Sequence, residues 1–181
     1  MLFWIGIDVG KDLDDFKRKV LDIGNVYKIN KETKLPYHIS LKISFEIDNR
    51  YFNEAMDFLN LYFLNLKPIE IQVKGIEELD TIVWLRMKDN PILDRIHKDL
   101  DNEFYNRFNV NPNPLDLDYQ FHVCLFINDN QDLLHKAYLD LKNIKYKEKL
   151  IGDTILIGGS FISDIDNYEI FNIIKLKWES L

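Results

Sequence analysis

Residues 37–47 alternate apolar and polar side chains without a break, and this run constrains the fold more than any other stretch. Tyr37, Ile39, Leu41, Ile43, Phe45 and Ile47 fall on one side; His38, Ser40, Lys42, Ser44 and Glu46 fall on the other. Successive side chains of an extended chain point to opposite faces, so a period of two marks a β-strand with one face in a core.

A shorter version of the pattern recurs at residues 119–127. Tyr37-His38-Ile39-Ser40-Leu41 matches Phe121-His122-Val123-Cys124-Leu125 as aromatic, His, β-branched, small hydroxyl or thiol, Leu. The flanking segments repeat in the same order. Residues 3–9 read as a strand, and Leu13, Phe16, Val20 and Leu21 recur at helical spacing behind Asp12, a candidate cap. Residues 25–35 read as a loop, 51–65 as a helix and 69–75 as a strand. In the second half, 80–87 reads as a strand. Asn90-Pro91 starts a helix carrying Ile92, Ile96, Leu100 and Phe104, and Asn130 caps another. Strands near 153–161 and 168–177 close the chain. Internal duplication is the economical reading, with two lobes about a pseudo-two-fold axis. The lobes are too small to stand alone, so 1–181 is expected to be one bilobal domain.

The length of 181 residues and a hydrophobic share of 46% suffice for a buried core. Thirty acidic against 23 basic residues leave a net charge of −7, which disfavours binding to a long nucleic acid. Cys124 is the only cysteine, which rules out an internal disulfide, and the four histidines have no zinc spacing. The N-terminus has no basic segment ahead of its apolar residues, and no run reaches the ~20 apolar residues of a membrane helix. A cytoplasmic protein is expected. Nothing in the sequence speaks to oligomeric state.

His38 and Ser40 share a strand face, and so do His122 and Cys124. If the lobes face each other, the two imidazoles meet. One neutral ring can accept a proton while one protonated ring donates, because imidazole titrates near neutrality. A hydroxyl two residues on can hold a phosphate oxygen. Lys42, on the His38 face by alternation, is either a solvated strand residue or a cation for the anionic transition state.

These paired motifs resemble the 2H phosphoesterase superfamily, in its 2′-5′ RNA ligase and cyclic phosphodiesterase branch. His38-Ile39-Ser40-Leu41 fits the first motif; His122-Val123-Cys124-Leu125 fits the second except at Cys124, where the family carries Ser or Thr. The segment Phe3 to Asp22 also looks like that family's beginning. The resemblance implies an α+β fold of two pseudo-symmetric lobes, each an antiparallel sheet with helices packed outside, around a central cleft. It implies action without metal or cofactor on 2′,3′-cyclic phosphates or RNA-end phosphodiesters, with a small nucleotide or RNA end as partner. By carry-over His38 and His122 are acid and base, and Ser40 anchors phosphate. Cys124 is either a weaker second anchor or a small buried hydrophobe.

Other readings stay in view. A relaxed second motif would suit a non-catalytic nucleotide-binding module. Ile5-Gly6-Ile7-Asp8-Val9-Gly10 superficially resembles an actin-like phosphate loop, but Lys11 and Asp12 stand where a hydroxyl is wanted. His97 and His135 lie on polar helical stretches and are expected at the surface. Tyr37 and Phe121 are expected in the core.

Overall fold

The computed structural model describes residues 1–29, 35–116, 118–164 and 167–178. The chain runs β1 (Leu2–Asp8), α1 (Gly10–Tyr27), β2 (His38–Glu46), α2 (Phe52–Phe63), β3 (Ile69–Leu79), β4 (Ile82–Met87), α3 (Pro91–Phe108), β5 (His122–Ile127), α4 (Gln131–Leu141), β6 (Lys149–Gly152), β7 (Thr154–Ser160) and β8 (Glu169–Lys175). Residues 30–34, the middle of the expected loop, lie outside the described residues, and α1 takes the start of that loop. Strand β6 has no counterpart among the elements expected from the sequence. No helix among the described residues is long and apolar enough to cross a membrane.

The strands form two antiparallel sheets, ordered β2-β1-β7-β8 and β5-β4-β3-β6. These are the two pseudo-symmetric lobes expected from the sequence. The symmetry maps β1 onto β4, β2 onto β5, β7 onto β3 and β8 onto β6. The lobes are not the sequence halves, however. Strand β3 from the first half pairs with β4, and β7 from the second half pairs with β1.

The helices cross over in the same way. Helix α3 packs on β2, where Phe104 lies 4.9 Å from Phe45 between ring centroids and 6.2 Å from Phe3 of β1. Helix α1 joins the other sheet, where Asp12 accepts the Ile151 N–H at 2.7 Å and Phe16 meets Tyr146 at 5.7 Å. Asp12 therefore ties α1 to β6 rather than capping its own helix. The carboxylate near that N-terminus is Asp8, whose Oδ1 accepts the Gly10 N–H at 2.8 Å.

Local signals set the other helix ends. The Asn90 side chain accepts from Ile92 and Leu93 N–H ahead of α3, with Pro91 in the first turn. Asn130 accepts from Leu133 N–H ahead of α4. The core stripe of α3 is Leu93, Ile96, Leu100, Phe104 and Phe108, and Ile92 is exposed.

Candidate active site

Strands β2 and β5 are the edges of their sheets, and these two edges pack against each other. Each begins with a histidine. His38 Nδ1 lies 2.9 Å from the Pro36 carbonyl and His122 Nδ1 lies 2.7 Å from the Gln120 carbonyl. A carbonyl only accepts, so both Nδ1 atoms carry hydrogen in the neutral rings. The second nitrogen, Nε2, is then the proton-exchanging atom of each ring.

Each imidazole also lies against an indole from the neighbouring strand. Trp4 and His38 have centroids 4.5 Å apart at 31°; Trp84 and His122 are 4.3 Å apart at 41°. Each histidine is thus held by one hydrogen bond and one flat surface. Burial disfavours the imidazolium and pulls both rings below the ordinary histidine range. The carbonyl bonds oppose that pull on both, and Asp8 opposes it on His38. A charge on His38 lowers His122 further, so the two rings are electrostatically coupled.

Glycine makes the first stack possible. A Cβ on Gly6 would lie 2.6 Å from Trp4 Cζ3 and 3.1 Å from His38 Cδ2; one on Gly158 would lie 2.8 Å from Trp4 Nε1. Trp4 thus lies across glycines of its own strand and of β7. Gly6→Ala is expected to push the indole off His38 and cost about tenfold to 100-fold in turnover. The stability loss should stay near ~1–3 kcal/mol, the usual range for overpacking. Steady-state rates beside thermal unfolding of the same variant check this. An unchanged rate would show that the stack does not position His38.

Ser40 stands opposite Gly6, and Cys124 opposite Trp84. Both are half-buried, on the faces of their respective histidines. Cys124 Sγ lies 4.0 Å from the Phe126 carbonyl. Tyr37 is buried, and burial followed by the Cys124 sulfur pushes its hydroxyl well above the usual tyrosine range. Among the described residues, no group of three or more His, Cys, Asp and Glu side chains could hold a metal ion.

No protein-family model matches the sequence, and no curated protein matches it. Solved structures match it in shape over nearly its whole length. TT0787 of Thermus thermophilus superposes with a TM-score of 0.63 at 8% identity, covering 97% of this chain and 98% of its own. Escherichia coli LigT complexed with 3′-AMP gives 0.61 at 10% identity over 96% of each chain. A structure described as a phosphoesterase gives 0.59 at 12% identity over 97% and 98%. The chain shares the fold of these structures. At these identities the match carries architecture, and the chemistry has to come from this chain's own residues.

Within that fold, Lys42 is not where alternation puts it. Gly6 stands opposite Ser40 and Ile5 stands opposite Lys42, so one step in β1 spans two in β2. Leu41 is the extra residue of a β-bulge. The bulge turns Lys42 onto the core face of Ile5, where it is 1% exposed. Its ammonium pairs with Asp101 of α3 and lies 5.0 Å from the centre of the Phe45 ring. Strand β5 has the matching irregularity just after Cys124, and there Phe126 takes the buried position.

His97 is also displaced from its expected surface position. It is 5% exposed, and its Nδ1–H donates at 2.8 Å to the carbonyl of Leu41, the bulged residue. It lies 3.6 Å from Asp101 and stacks on Tyr119 at 4.9 Å. His135 is exposed and meets Glu78 at 2.8 Å.

Four residues at the site escaped the sequence reading: Trp4, Trp84, Asp8 and Arg86. Asp8 stands opposite His38, and Arg86 opposite His122. Arg86 is held by Glu77 at 3.2 Å. The signal was available in part, since Trp84 and Arg86 alternate onto one face of β4; which strand that face borders was not.

Proposed function

We propose that this chain is a metal-independent phosphoesterase in which His38 and His122 act as an acid–base pair on a 2′,3′-cyclic phosphate or a 2′-5′ phosphodiester at an RNA end. The observation that carries the reading is the matched pair of rings. Both are oriented through Nδ1, both keep Nε2 for proton exchange, and they sit on adjoining edges of a fold shared with LigT, solved with 3′-AMP bound. One neutral ring takes a proton from water as its oxygen attacks phosphorus. The other, protonated, gives its proton to the ribose oxygen as the old P–O bond breaks. The reverse sequence joins an end to a cyclic phosphate, so ligation belongs to the same site. Ser40 donates to a non-bridging oxygen. Cys124 occupies the equivalent place as a weaker donor.

The test is a screen of cyclic mononucleotides and short RNAs with defined ends, in a chelator. Turnover is expected to persist and to follow a bell-shaped pH profile, because one ring must be charged and one neutral. Desolvation moves both protons off at lower pH than in free histidine, so the singly protonated pair is most populated on the acid side of ~6.5. The kcat/KM optimum should therefore lie below that value, and the rate should fall as pH rises through neutrality. Loss of all activity in chelator would defeat the metal-free mechanism; a plateau from neutrality into the alkaline range would defeat the paired one.

A further inference from the structure

The pseudo-two-fold relation holds for the carbonyl bond to Nδ1, the small side chain two residues on, and the irregularity that follows. Each ring also lies against a tryptophan, but from non-equivalent positions, because Trp84 matches Gly6 rather than Trp4. The relation also fails at the position directly opposite each ring. Strand β1 places Asp8 opposite His38, where its charge favours the imidazolium, and β4 places Arg86 opposite His122 in the strand register. Two chemically identical rings thus have residues of opposite charge as cross-strand partners.

We propose that Asp8 and Arg86 are positioning residues that divide the labour of the pair, making His38 the general acid and His122 the general base of phosphoester cleavage. This rests on the acid–base reading above and adds the assignment of roles. A carboxylate stabilises a neighbouring imidazolium and a guanidinium destabilises one, so a single shared proton settles on His38.

The remaining charges near His38 cancel, so its bias comes from Asp8 as direct cross-strand partner. Asp8 borders a pocket of about 260 Å³ with Lys11, Asp12, Asp153 and Lys175. Asp12 is paired with Lys147 at 2.6 Å and Asp153 with Lys175 at 3.7 Å, and Lys11 balances the third carboxylate. Asp8 itself is anchored by the Gly10 N–H, which fixes its carboxylate beside β2. Near His122, Arg86 and Lys74 share the single carboxylate of Glu77, at 3.2 and 3.0 Å, so that cluster keeps a positive balance. The Tyr119 ring centre lies 6.2 Å from that of His122. Between the rings, charge on His38 further disfavours charge on His122.

In the cleavage step, His122 Nε2 takes a proton from water as the new O–P bond forms. His38 Nε2–H passes its proton to the ribose oxygen as the old P–O bond breaks. The pair is left with the proton on His122, where Arg86 disfavours it, and exchange with solvent returns it to His38. The resting enzyme is therefore primed for cleavage, and end-joining must start from the less populated proton arrangement.

Two measurements test this on the full chain. In a histidine Cε1–H NMR titration, His38 should titrate at higher pH than His122. Asp8→Asn should lower the His38 midpoint, Asp8→Glu should restore it, and Arg86→Gln should raise the His122 midpoint. In kinetics, a nucleoside phosphodiester with an alkyl leaving group is compared with its 4-nitrophenyl counterpart, whose leaving group needs no proton. The loss caused by His38→Ala should shrink at least about tenfold on the activated ester, and the loss caused by His122→Ala should not. His122 titrating above His38, an Asp8→Asn variant with an unmoved His38, or rescue of His122→Ala instead would overturn the assignment. Absence of turnover in the wild type would instead refute the proposed function, and the titration order would still decide where the proton rests.

Discussion

Alanine at His38 or His122 is expected to lower phosphodiesterase turnover by about 10²–10⁴, the range for loss of a positioned acid or base. The double replacement should cost little more than the worse single one. A paired transfer fails once either partner is missing, so the two effects are not multiplicative. Neither variant should unfold the chain. Both rings sit at the starts of edge strands rather than in the central core, and burial already disfavours their charged forms. Single-turnover rates on a cyclic mononucleotide, alongside circular dichroism, would check this. A histidine variant that keeps the wild-type rate would remove that ring from the mechanism.

The second large effect is on stability. Lys42→Ala is expected to destabilise the protein by about 3–5 kcal/mol, because it strands the Asp101 carboxylate between α3 and the bulged strand. The lysine side chain is 2% exposed and Asp101 14%, so little solvent is available to take over. Lys42→Met with Asp101→Leu removes both charges and should recover most of the loss. Denaturant unfolding of Lys42→Met, Asp101→Leu and the double variant gives the coupling directly. If Lys42→Ala unfolds like the wild type but binds substrate poorly, the amine serves the cleft after all.

Lys42 also marks where reading by alternation stops. The His-x-Ser and His-x-Cys pairs were legible because side-chain direction over three residues of a strand follows from the backbone alone. The caps at Asn90 and Asn130 were legible for a similar reason, since a capping oxygen reaches only two or three residues on. Beyond Ser40 the face of each residue depends on how β1 pairs with β2. Glycine at position 6 and the indole of Trp4 lie within that pairing. Ile43, expected in the core, is accordingly only half-buried, while Lys42 is buried.

The sequence by itself determined the repeated strand and helix order, the apolar faces, and which small side chain accompanies each histidine. These depend on contacts between near neighbours in the chain. Only the tertiary structure decided that β3 and β7 trade lobes, that Trp4 and Trp84 cover the imidazoles, and that His97 closes the bulge. It alone set Asp8 against His38 and Arg86 against His122. Each of these joins residues far apart in sequence, and the partner across a sheet is chosen by the packing of the whole core, which no local period records.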